Sequence, residues 1–106
     1  MPKYLLEASY TADGAKGLAK EGGSSRRKMV TDMVTAVNGK VEAFYYAFGD
    51  ADVYIIAEMP DTVTAAALSL AVNQSGAVNL KTRILMTPEE MDQAAKKAVG
   101  YRPPGK

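Results

Sequence analysis

The sequence predicts an α+β fold, a four-stranded antiparallel sheet with two helices on one face, and three observations predict it. Lys3–Tyr10, Asp52–Met59 and Val78–Met86 alternate in side-chain character with the period of two that a strand imposes, and Val41–Phe48 is an aromatic-rich run joined to the second of them by a turn. Segments between them repeat apolar residues at spacings of three and four, the period of a helix. The resulting order is strand, helix, strand, strand, helix, strand. With right-handed crossovers that order folds into the split βαβ arrangement called ferredoxin-like, with the first and third strands central and an extra helix at the C-terminus.

In the first strand Tyr4, Leu6, Ala8 and Tyr10 form an apolar side against Leu5, Glu7 and Ser9. Thr11–Glu21 carries Gly14 and Gly17, each costing about 1 kcal/mol of helix relative to alanine, which predicts a weak, short helical turn ended by Gly22 and Gly23. Ser24 or Ser25 then caps a better helix, in which Met29, Val30, Met33, Val34 and Val37 form the core stripe and Gly39 stands just past the end. That spacing makes the two methionines core filler. Val41–Met59 is a hairpin whose Gly49 and Asp50 supply the positive φ of a tight turn. Pro60 and Asp61 stop it and cap a third helix, with Val63, Ala66, Ala67, Leu70 and Ala71 as the small-residue face laid on the sheet and Gly76 as its close. Val78–Met86 turns Asn79, Lys81 and Arg83 away from its apolar side. Thr87-Pro88-Glu89-Glu90 starts the last helix with an N-cap threonine, a proline at the first position and a glutamate three residues on. From Gly100 the tail is an extended arm, because Pro103 and Pro104 lack the backbone donor.

Residues 1–106 fit a single domain large enough to bury a core without disulfides or a structural metal. Cysteine, histidine and tryptophan are all missing. That excludes Ser-His and Cys-His catalysis and removes the usual ligands of zinc, copper and haem, so no cofactor is expected. Thirteen basic against twelve acidic residues lack the footprint of a nucleic-acid binder. The N-terminus has too short an apolar run for a signal peptide and no apolar window of roughly eighteen residues exists, so a cytoplasmic protein without membrane contact is expected.

The hairpin is apolar on both faces. Alternation puts Phe44, Tyr46, Phe48, Tyr54 and Ile56 on the face opposite the helices, where a one-sided sheet would be polar. The chain has only enough helix for one side, which predicts a homodimer, or higher homo-oligomer, through the sheet face, with a ligand space between the sheets.

Three stretches, ASYTADGAKGLAKEGGSSRR, FYYAFGDADVYIIAEMP and TPEEMDQAAKKAVGYRPPG, resemble the GYD-domain family. The resemblance runs over nearly the whole chain and implies a dimeric α+β barrel. The Gly-x-Tyr-Asp motif that names the family falls on Gly49, Asp50, Ala51 and Asp52, so Ala51 stands where relatives have tyrosine. The wider group of such barrels includes cofactor-free monooxygenases, small-lactone isomerases, haem enzymes and ligand sensors, and in that architecture the uncovered faces of two sheets enclose the cavity.

The face assigned to that cavity carries Glu7, Ser9, Glu42, Phe44, Tyr46, Tyr54, Ile56, Glu58, Lys81 and Arg83. Of these, Glu7, Ser9, Phe44, Tyr46, Tyr54, Ile56, Glu58 and Arg83 are the candidate ligand-binding set. A carboxylate in dry aromatic surroundings has its pKa raised and serves as an acid or base near neutral pH, which makes Glu7, deepest on a central strand, the candidate catalytic base. The alternative is that these charges pair with Lys81 or Arg83 across the dimer, or sit at a wet rim. Ser24, Ser25, Arg26 and Arg27 beside a helix start form a candidate anion site, against the alternative of a plain cap with solvated arginines. Asp50 and Asp52 are too few oxygens for a metal, and turn chemistry accounts for them. Three functions stay open: binding or sensing of a small organic molecule, a cofactor-independent monooxygenase- or isomerase-like enzyme with Tyr46 or Tyr54 positioning its substrate, and a structural oligomer with a filled interior.

Overall fold

The computed structural model describes residues 1–106. In chain order it holds β1 (Lys3–Tyr10), α1 (Ala12–Glu21), α2 (Gly23–Ala36), β2 (Lys40–Tyr46), β3 (Val53–Glu58), α3 (Thr62–Gln74), β4 (Val78–Leu85) and α4 (Pro88–Lys96). The strands pair antiparallel in the order β2-β3-β1-β4, the ferredoxin-like arrangement, with β1 and β3 in the middle. Tyr4, Leu6 and Ala8 of β1 and Val53, Ile55 and Ala57 of β3 are buried under the helices. α2 lays Val30 and Val34 on them, and Met29 and Met33 pack alongside as filler. No helix is long and apolar enough to cross a membrane.

The first helix is stronger than its glycines imply, running ten residues from a Thr11 cap. The Thr11 amide and hydroxyl both donate to the Ala77 carbonyl, at 3.0 and 3.2 Å. Gly14 is buried against that same carbonyl, in a space where a Cβ would collide with the oxygen. Its bare backbone is what lets α1 dock. α2 starts earlier than a Ser24 or Ser25 cap requires: Gly22, at φ 93°, is the N-cap, and no side chain caps the helix. A single left-handed glycine therefore separates α1 from α2.

The hairpin departs from its predicted form in two ways. Neither Gly49 nor Asp50 has a positive φ. A loop spanning Ala47–Asp52 joins the strands, closed by the Ala47 amide on the Asp52 carbonyl at 2.8 Å. Asp52 is drawn instead toward β1, where its amide donates to the Ala8 carbonyl and its Oδ2 accepts from the Tyr10 amide at 2.9 Å. The second departure is a bulge. The β2–β3 register shifts between Val41 and Ala43, so Val41 pairs with Ala57 on the helix side while, beyond it, Phe44 and Tyr46 stand opposite the inward Ile55 and Val53. One extra residue inverts every face that follows it. Phe44 and Tyr46 thus lie on the helix side, and Ala43 and Tyr45 take the open face.

α3 is rotated from expectation. Ala65 and Leu68 are buried and Val72 packs on the core, whereas Val63 and Leu70 of the predicted inward stripe are 80% and 70% exposed. The helix contains no charged residue, so its periodicity does not choose between two apolar faces. Side-chain hydrogen bonds choose: the Ser69 and Thr82 hydroxyls meet, and the Asn73 amide exchanges two bonds with the Leu80 backbone.

Asp61 caps α3 as predicted, its Oδ1 accepting from the Thr64 amide at 2.7 Å, and that bond holds the carboxyl below its ordinary value of 3.8. A depressed folded value means the cap's contribution is complete above pH 3.8 and is lost as pH falls through the lower folded value. In an acid titration followed by helical circular dichroism, Asp61→Asn should therefore show a shallower loss below that pH. An acid limb identical to the unsubstituted chain would contradict this assignment.

Candidate functional site

The open face of the sheet follows from the buried one. Because Tyr4, Leu6 and Ala8 of β1 turn inward, Lys3, Leu5, Glu7 and Ser9 must turn outward. Cross-strand pairing then aligns two mixed rows. One holds Tyr45, Tyr54, Glu7 and Lys81, and the next holds Ala43, Ile56, Leu5 and Arg83. The β2 and β3 half of each row is apolar and the β4 half is cationic.

Between the rows Arg83 reaches diagonally to Glu7, its Nε donating to Oε2 at 2.7 Å. The Glu7 side chain is 20% exposed against 62% for Arg83. The carboxylate raises the arginine above its ordinary pKa, first through the hydrogen bond and then through its charge. Glu7, Ser9, Tyr54 and Arg83 line a hollow of about 460 Å³, together with Asp50, Ala51, Asn79 and Lys81. Ser9 Oγ donates to the Asp50 carbonyl at 3.1 Å and ties the β2–β3 loop down at one end of the hollow. Lys81 is exposed and belongs to none of the chain's ion pairs. Half of the candidate ligand-binding set thus shares one hollow.

The other half does not. Phe44 and Tyr46 meet edge to face at 5.3 Å on the helix side. There the Tyr46 hydroxyl donates to the Gly23 carbonyl at 3.0 Å, and burial, with Tyr10 close by, raises its pKa. Tyr46 cannot position a substrate against Glu7 from the opposite face. Ile56 and Glu58 stay on the open face but farther along, near the Lys3–Glu42 ion pair at 2.7 Å. Ile56 lines a separate hollow at that end.

The four anion candidates do not converge. Ser25 turns back to donate to Glu21 Oε1, and Ser24 and Arg27 border a shallow surface hollow with Tyr46. Arg26 lines two other hollows, one of them an apolar space of about 30 Å³ between helices and sheet, and its charge also acts on the Tyr46 hydroxyl. No three acidic side chains gather as a metal site would need.

Sequence reading did not place Ala43 and Tyr45 on the open face, nor Ala51 beside the hollow. The first two were hidden by the bulge, which leaves no mark in a strand apolar on both sides. Ala51 is 6% exposed at the hollow's edge, reached only through the loop that replaces the tight turn. A family model described as the GYD domain matches residues 4–95. No curated protein and no solved structure matches the chain.

Proposed function

The chain belongs to the GYD-domain family, and on that footing we propose that it binds a small organic molecule in a space enclosed between the open sheet faces of two copies. The observation that carries this reading is the hollow around Glu7, Tyr54 and Arg83, which combines one aromatic ring, an ion pair and the unpaired Lys81 on a face otherwise half apolar. The lining is mainly polar and charged, with Tyr54 and Ala51 as its apolar part, a composition that suits a polar or charged small molecule carrying a flat apolar group. Tyr54 offers a ring to stack on, and Lys81 with Arg83 offers charge for an anionic group. Ala51, in place of the family's tyrosine, leaves room at the edge.

Binding is favoured over proton abstraction by the Glu7–Arg83 hydrogen bond. A carboxylate oxygen already committed to a guanidinium orients polar groups well, and using it as a base would require that bond to break. Benzoate is a suitable probe, carrying one ring and one carboxylate. Titrated into the protein, it should shift the amide resonances of Glu7, Ser9, Tyr54 and Lys81 together, and Arg83→Gln should weaken the effect about tenfold, the loss of one charge-assisted hydrogen bond. Shifts confined to the helix side near Tyr46, or no saturable shift at all, would contradict the reading.

A further inference from the structure

The C-terminal segment is built as a helix and yet rests on nothing in its own chain. α4 carries a complete capping box, with Thr87 Oγ1 accepting from the Glu90 amide and Glu90 Oε1 accepting from the Thr87 amide, and Pro88 stands in its first turn. None of its residues is buried, Met91 is 56% exposed, and Val99 and Tyr101 beyond it are 81% and 64% exposed. Nine residues on their own do not hold a helix in water, so this one needs a surface. The radius of gyration is 16.8 Å, with a longest extent of 56 Å, where a compact chain of this length has about 13 Å.

Three further features say what that surface is. A hollow of about 840 Å³ opens where α4 leaves the sheet, walled by Lys3, Glu42 and Ile56 of the open face and by Met86, Thr87 and Glu90 at the base of the helix. The segment after Asp92 carries four cations, Lys96, Lys97, Arg102 and Lys106, and no acid, leaving nine basic against twelve acidic residues in the rest of the chain. A sheet of four strands, about 19 Å across and 20–25 Å long, offers on the order of 400–500 Å² per copy, short of the roughly 800 Å² per partner of a standard stable interface.

We propose that α4 and the tail after it are a clasp on a second copy of this chain. The proposal rests on the face-to-face reading above and adds to it. As two open faces meet, the end of one sheet enters the hollow at the base of the other copy's α4. Met91 then finds apolar cover, and the basic tail runs over the acidic body of its partner. The clasp supplies area that the sheets alone lack, and it works twice by symmetry. The charge term makes it sensitive to salt.

Hydrogen exchange of the full chain at rising concentration tests this, alongside full-chain Met91→Asp, whose exposed site leaves the fold intact. The expected result is that the amides of Asp92 to Lys96 exchange at least tenfold more slowly once the dimer forms, lose that protection on dilution, and that Met91→Asp weakens the dimer about tenfold. A dimer in which those amides exchange at one fast rate at every concentration, with Met91→Asp dimerising normally, overturns the clasp and leaves the sheet contact standing. Equal protection in dilute monomer would place α4 on its own chain and overturn it as well. A chain that is monomeric throughout removes the face-to-face reading first and the clasp with it.

Discussion

Gly14→Ala should destabilise the chain by about 3 kcal/mol, lowering the midpoint of thermal unfolding by more than about 10 °C. The direction is not obvious from helix propensity, which favours alanine over glycine by about 1 kcal/mol in a helix interior. Sterics win here because the added Cβ meets the backbone carbonyl of Ala77, which no rotamer change can move, and lies 3.1 Å from the Tyr10 ring. Relief requires α1 to lift, which breaks the two Thr11 bonds to that carbonyl, each worth about 1 kcal/mol. Gly17, one turn on, is the control: a Cβ there meets nothing within 4 Å, and Gly17→Ala should gain up to about 1 kcal/mol. Denaturant unfolding of the two variants side by side decides the matter, and equal effects of one sign would contradict the docking of α1 described above.

Ile56→Lys should weaken self-association at least a hundredfold, about 2.7 kcal/mol, while leaving the monomer folded. Ile56 sits at the centre of the apolar row, flanked by Leu5 and Ala43, and its side chain is half-buried by its own chain. A lysine there keeps its stem on the sheet and its charge in water when the chain is alone. In a symmetric contact between two sheets the same charge is buried twice, without a partner. Sedimentation at several concentrations gives the affinity, and far-ultraviolet circular dichroism checks the fold. An unchanged affinity would move the interface off this face.

Much of the fold was legible because single elements state their own ends. Thr87-Pro88-x-Glu90 forms the capping box its spacing implies, and Asp61 and Gly76 bound α3 as read, Gly76 at φ 75°. The strand order follows from the order of elements and the handedness of crossovers. What was not legible depends on two-sided surfaces. A strand with apolar residues on both faces reads the same with or without a bulge at Glu42, so the faces of Phe44 and Tyr46 could not be assigned from alternation. A charge-free α3 hides its roll in the same way, and only the pairing of Ser69 with Thr82 and of Asn73 with Leu80 fixes it. Of the site, Glu7, Ser9, Tyr54 and Arg83 come together because β1, β3 and β4 keep their register. Gly14 shows the limit of propensity, since its cost to the helix was visible in sequence and its close approach to Ala77 was not.

The chain leaves two surfaces uncovered, the apolar stripe of α3 and the half-apolar open sheet, and the second is the one proposed to meet a twin. Sedimentation velocity of the unsubstituted chain from dilute to near-millimolar concentration measures that assignment directly. The expected result is a reversible shift to a species of twice 11.3 kDa, with Tyr54 losing solvent access as it forms. A folded species that stays at 11.3 kDa over the whole range would contradict it.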